Sequence, residues 1–140
     1  MTEAKIERRI CERFRIPGAT ACYRKTSLFS NKKGFDEEFC PVIDLSRGGL
    51  RFLCQKPLKV RQKLSVDITI PGDRAPLILL GIVRWIGFNA GKSYKFQAGL
   101  QLNAYGDKKS HNSSETLARL TAMEEKYQAR KAANSTEPKP

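Results

Sequence analysis

The sequence predicts an antiparallel all-β domain, a barrel or a sandwich, on three observations. About six short segments rich in β-branched and aromatic residues follow one another at close spacing, with no long helical pattern between them. Two of them alternate cleanly: Leu64, Val66, Ile68 and Ile70 share one face in "KLSVDITIPG", and Phe96, Ala98, Leu100 and Leu102 share one in "YKFQAGLQL". Turn-forming pairs separate the segments, among them Pro17–Gly18 and Pro71–Gly72.

In chain order, residues 1–13 are polar and basic and read as a flexible N-terminal arm. Residues 14–104 form the β region. It begins with "FRIPGATACYRKTSLF", where Pro17 and Gly18 argue against helix. "SNKKGFDEE" reads as a loop, "FCPVIDLS" as a strand, "RGG" as a tight turn and "LRFLC" as the return strand. "LILLGIVRWIGF" is a long strand expected to break or bend at Gly81, and "NAGKS" is a hairpin loop. Residues 105–132 are the C-terminal helix segment: after the polar run "YGDKKSHNSSE", "SETLARLTAMEEKYQARKAA" reads as helix, with Asn112 as N-cap, Glu115 completing a capping box, and Glu115–Arg119 as an i,i+4 pair. Leu117, Leu120, Met123 and Tyr127 recur at helical spacing and predict a docking face. Residues 133–140 read as a disordered tail.

Composition bounds the function. The chain has 140 residues, 40% hydrophobic, enough for one domain with one core. Its longest apolar stretch, "PLILLGIV", is far short of the ~20 residues of a spanning helix. "MTEAKIERR" has no apolar signal core, so a cytoplasmic location is expected. A net charge of +12 favours polyanionic partners. Cys11, Cys22, Cys40 and Cys54 form no CxxC pair and His111 is the single histidine, so no metal site is expected. The cysteines read as free thiols in or beside strands.

Catalytic patterns are missing. His111 sits in a polar loop without a nucleophile framework, "GKS" at 91–93 lacks the upstream glycines of a phosphate-binding loop, and no paired carboxylates suit acid–base work. No catalytic residue and no cofactor are predicted. Two constellations remain: Arg9 and Arg13 in "RICER", and Asp44, Ser46 and Gly49 in "DLSRGG". Arginine forks suit phosphate oxygens and the O6/N7 edge of guanine. The Asp44 carboxylate can accept the N1–H and N2–H of guanine, and Ser46 can donate to a phosphate or ribose oxygen. Gly48 and Gly49 permit positive φ and close approach of a ligand. Against this stands turn chemistry, since Asp44 and Ser46 can bond local backbone. Trp85, on an apolar strand, reads as a core residue, with ligand or partner contact as the alternative.

These residues resemble the PilZ domain family, bacterial receptors for cyclic di-GMP that carry RxxxR before a β-barrel and [D/N]xSxxG on its following strands. "GIVRW" and "FQAGLQL", with Gly81, Trp85 and Gly99, resemble the family's later core strands. The resemblance implies a six-stranded antiparallel PilZ-like barrel that binds cyclic di-GMP without chemistry. It implies ligand contacts from Arg9, Arg13, Asp44, Ser46 and Gly49, flanked by Arg8, Arg15 and Gly48. An arm ordered by ligand would relay the bound state to a partner protein in motility, biofilm or related signalling. Two rivals are a basic nucleic-acid-binding barrel, disfavoured by an expected lack of exposed aromatics, and a nucleotide-independent protein-interaction scaffold.

Overall fold

The computed structural model describes residues 12–26, 34–91 and 93–135, with the helix beyond residue 127 described as backbone. Six strands run β1 Thr20–Lys25, β2 Glu37–Leu45, β3 Gly49–Cys54, β4 Lys63–Thr69, β5 Leu77–Phe88 and β6 Phe96–Leu102, followed by α1 Ser114–Ser135. They close into an antiparallel barrel in the order β1-β2-β3-β6-β5-β4, so the barrel alternative holds over the sandwich. Closure removes the unpaired sheet edges that an open sheet would present.

Alternation builds the interior. Leu64, Val66 and Ile68 of β4 point inward with Leu77, Leu79 and Val83 of β5 and Ala98, Leu100 and Leu102 of β6. Tyr23 and Phe52 meet at 5.8 Å between centroids at the centre of this core. Each buried Leu, Ile, Val or Phe contributes about 1.5–3 kcal/mol over leaving it exposed. Two tight turns enter and leave the strands as their Pro–Gly pairs require. Gly18 has φ +80° and Gly72 φ +92°, while Ala19 N–H donates to Ile16 O at 3.1 Å and Asp73 N–H to Ile70 O at 3.0 Å. This is type II turn geometry, with proline second and glycine third.

β5 does not break at Gly81; it is one continuous strand, and its pairing with β6 is irregular between Val83 and Trp85. Gly81 serves close approach instead. A Cβ there would lie 2.7 Å from the Gln101 carbonyl oxygen and 2.7 Å from Leu100 Cγ. A second bulge lies in β2, where Phe39 adopts φ +58° and its side chain faces solvent.

Within the C-terminal segment the helix starts where "SETLARL" reads as helix. Helix α1 begins at Ser114, and residues 105–113 form a loop closed by a Tyr105–Asn112 bridge. Asn112 is not the N-cap. Its buried amide accepts from Leu80 N–H at 2.7 Å and donates to Leu80 O at 3.0 Å and Asn103 O at 3.1 Å, continuing the sheet past the end of β6. Ser113 caps the helix, its Oγ accepting Thr116 N–H at 3.0 Å. Arg119 reaches Asp73 at 3.5 Å and donates to Pro76 O and Ala75 O. With Leu120 fully buried, α1 seats on the barrel end that carries the β2–β3 turn and the β4–β5 loop. The backbone helix runs to Ser135, past the expected end at 132 and into the expected tail at 133–140, whose remainder, 136–140, lies outside the described residues.

Candidate functional site

The site grows from the β2–β3 hairpin. Leu45 pairs with Leu50, and the tight turn between them sets Asp44 directly opposite Arg51. Asp44 is 4% exposed, and a buried carboxylate must be paired. Arg51 supplies the pairing as a fork. Its Nε donates to both carboxylate oxygens at 3.0 Å, and its Nη2 donates to Oδ2. Arg13 Nη1 donates to Oδ1 at 3.0 Å from the other side. Burial pushes the Asp44 carboxyl up, but the hydrogen bonds and charges of Arg51 and Arg13 outweigh it and hold the group below the usual carboxylate range.

Ser46 sits at the turn as its chemistry predicts. Its Oγ accepts Gly48 N–H at 3.2 Å and Gly49 N–H at 3.0 Å, and its own N–H donates to Gly49 O at 2.8 Å. The turn reading of Ser46 is therefore realised. Gly48 and Gly49 do not use the positive φ that glycine permits; Gly18 and Gly72 are the positive-φ glycines among the described residues. Gly49 acts through space: a Cβ would lie 3.2 Å from Leu100 O and 3.8 Å from an Arg13 guanidinium nitrogen.

Beside this turn lies a pocket lined by Arg13, Ser46, Gly48, Gly49, Arg51, Arg84 and Trp85, floored by Leu50, Gly99 and Leu100. Trp85 is 38% exposed, which corrects its reading as a core residue. Leu77, Leu79, Gly81 and Val83 face inward in strict alternation, which would carry Trp85 inward too. The irregularity after Val83 resets the alternation, so Arg84 and Trp85 both face outward. The indole lies over Gly99, where any Cβ would overlap its Nε1.

The fold thus brings Arg13, Asp44, Ser46, Gly48 and Gly49 to one place. Arg15 is exposed and does not line the pocket, and Arg8 and Arg9 lie outside the described residues. Arg51 and Arg84 escaped the sequence reading. Arg51 was legible in principle: a two-sided hairpin about "SRGG" with Leu45 opposite Leu50 puts it across from Asp44. Arg84 had no such signal, because a bulge decides its direction. The expected scarcity of exposed aromatics is also corrected, since Phe39, Phe88 and Trp85 are all exposed.

Among the described residues, no group of histidine, cysteine and carboxylate side chains could hold a metal ion. No described helix is long and apolar enough to cross a membrane. Cys22, Cys40 and Cys54 are free and buried; Cys11 lies outside the described residues.

Fold and site together define a small six-stranded β-barrel module with a cation-rich, partly apolar pocket. The chain belongs to the PilZ domain family, whose family model matches residues 7–121. That family consists of binding domains, generally receptors for cyclic di-GMP, and no catalytic family is indicated. Among solved structures, the chain is similar to the inhibitor of motility MotI/DgrA of Bacillus subtilis, with a TM-score of 0.62 and 18% identity. The similarity covers 90% of this chain and 53% of that one, so this chain spans about half of its length. No curated protein sequence matches.

Proposed function

We propose that this chain is a cyclic di-GMP receptor that performs no chemistry on its ligand and passes the bound state to another protein. The observation that carries the reading is the charge of the pocket. Three guanidiniums, Arg13, Arg51 and Arg84, line the pocket, and the one carboxylate paired with them, Asp44, engages Arg13 and Arg51, leaving two positive charges uncompensated beside an exposed indole. Cyclic di-GMP brings two phosphates and two flat bases.

In this mechanism Arg13, whose side chain is half exposed, turns from Asp44 to a phosphate oxygen or to guanine O6/N7. Arg51 keeps Asp44 ionised and in place, and the released Oδ1 accepts guanine N1–H or N2–H. Trp85 and the guanidinium planes stack on the bases. Arg9, with Arg8 beside it, adds donors from the N-terminal segment, and ordering of that segment by ligand is the signal to the partner. The similar structure, MotI/DgrA, is named an inhibitor of motility, which makes motility control one candidate output.

Calorimetric titration with cyclic di-GMP, with a single-stranded oligonucleotide as control, tests this. Saturable binding at micromolar affinity or tighter, about 8 kcal/mol or more, is expected for the cyclic dinucleotide. Oligonucleotide binding with a steep salt dependence and no cyclic di-GMP binding identifies a nucleic-acid barrel instead. Binding of neither leaves the nucleotide-independent scaffold.

A further inference from the structure

Both nucleotide motifs touch helix α1, each through the residue next to a predicted ligand contact. Phe14 follows Arg13, and Leu45 lies between Asp44 and Ser46. These two join the motifs, Phe14 N–H donating to Leu45 O at 2.9 Å and Leu45 N–H to Phe14 O at 3.0 Å. The Phe14 ring then stacks on Tyr127 of α1, with centroids 6.1 Å apart and planes 6° from parallel. Arg47, the residue after Ser46, faces α1 as well. Its Nε lies 3.5 Å from Glu124 Oε1, and neither of these buried atoms has a hydrogen-bond partner. Glu124 is only 17% exposed in its side chain, so solvent screens this ion pair little.

We propose that Glu124 and Tyr127 are positioning residues for the ligand site: α1 holds the junction of the two motifs in its binding shape. The proposal rests on the reading of the pocket as a cyclic di-GMP site. Leu120, Glu124 and Tyr127 recur every three to four residues and so lie on one face of the helix. Leu120 and Arg119 fix the first half of α1 to the core and to the β4–β5 loop. The second half reaches the motifs from that anchor. Tyr127 backs the Phe14–Leu45 bridge, and Glu124 draws the Arg47 side chain to the helix, away from the pocket it does not line. The carbonyl of Arg47 is also held, by Tyr105 Oη at 2.7 Å. By linkage, a helix that stabilises the binding shape is itself stabilised by ligand to the same extent.

The test uses the full chain with Glu124→Ala, Tyr127→Ala and the charge-swapped pair Arg47→Glu with Glu124→Arg. Amide exchange without ligand is followed at Phe14 and Leu45, whose N–H groups close the bridge, and at Gly49, which bonds Ser46. Faster exchange is expected there in both alanine variants, with β4 and β5 unchanged. Cyclic di-GMP affinity should fall about fivefold or more, and the swapped pair should recover most of it. Unchanged exchange at Phe14 and Leu45 overturns the proposal. So does faster exchange spread evenly over β4 and β5, which marks general destabilisation. A swap that recovers nothing removes Glu124 from it. A parent chain that binds no cyclic di-GMP refutes the receptor reading alone, because the exchange measurement needs no ligand.

Discussion

Arg51 stands directly across the β2–β3 ladder from Asp44 and forks onto its buried carboxylate. A motif residue that looks from the sequence like a free acceptor is thus already engaged, by one arginine of its own hairpin and by Arg13 of the segment before β1. Arg51→Ala should lower unfolding free energy by roughly 1–3 kcal/mol in urea titrations, the range for losing hydrogen bonds to a buried charge. The cost stays below that of a fully buried pair because the Arg51 side chain is 33% exposed and Arg13 remains. Arg51→Lys should recover only part of it, since an ammonium has no planar fork. Stability equal to the parent in Arg51→Ala would show that the fork contributes nothing.

Acid should act through the same carboxylate. Burial raises the Asp44 pKa, yet the bonds to Arg51 and Arg13 take it below its ordinary value. A folded pKa depressed in this way contributes stability that is present above the unfolded value of about 3.9 and is lost as pH falls through the folded value. Thermal midpoints should therefore drop below about pH 4. The drop should be shallower in Asp44→Asn, which has no proton to gain at this site; identical acid profiles would remove Asp44 from the account.

Alkali and thiol reagents probe the opposite end of the barrel. Burial, then the Glu37 carboxylate, pushes the Cys54 thiol up to about 12 and raises Cys40 as well. A raised thiol pKa contributes stability that is present below the unfolded value of about 8.5 and is lost as pH rises toward the folded value. At pH 8, Cys40 and Cys54 should resist iodoacetamide in the native protein and react only as fast as the barrel opens. Peptide mass spectrometry finding rapid native labelling of either would contradict their burial.

The single tryptophan offers an optical readout. Trp85 lines the pocket over Gly99, so cyclic di-GMP should quench or shift its fluorescence with the same midpoint as calorimetry. Gly99→Ala forces the indole aside, because its Cβ would overlap the ring. This variant should shift the emission of the free protein and weaken ligand binding, while the thermal midpoint stays near the parent's. Binding without any fluorescence change would place the ligand elsewhere.

Fork geometry and base identity give the last prediction. Arg13→Lys keeps the charge and should still lose most of the affinity for cyclic di-GMP in calorimetry. Cyclic di-AMP should bind much more weakly than cyclic di-GMP, because adenine lacks N1–H for Asp44 and carries an amino group where guanine has O6. Equal binding of the two dinucleotides would end the guanine-reading role of Asp44.

Much of the fold was legible because period-two patterning is a local signal. Leu64 to Ile70 and Phe96 to Leu102 declare an inner face wherever they are placed, and Pro–Gly pairs at 17–18 and 71–72 specify their turns from φ preferences alone. Arg13, Asp44, Ser46 and Gly49 were likewise legible, as donors and acceptors at a fixed spacing around a turn. The direction of Trp85 was not, because a bulge of one residue reverses a side chain and depends on how β5 meets β6. Nor was Asn112, whose side chain is taken up by the Leu80 N–H and carbonyl and the Asn103 carbonyl, groups that meet only once β5 and β6 have paired. The partnership of Arg51 with Asp44, the place of Arg84, and the reach of Glu124 and Tyr127 to the motifs belong to register and packing. Such relationships join residues distant along the chain, and only the tertiary structure sets the distances between them.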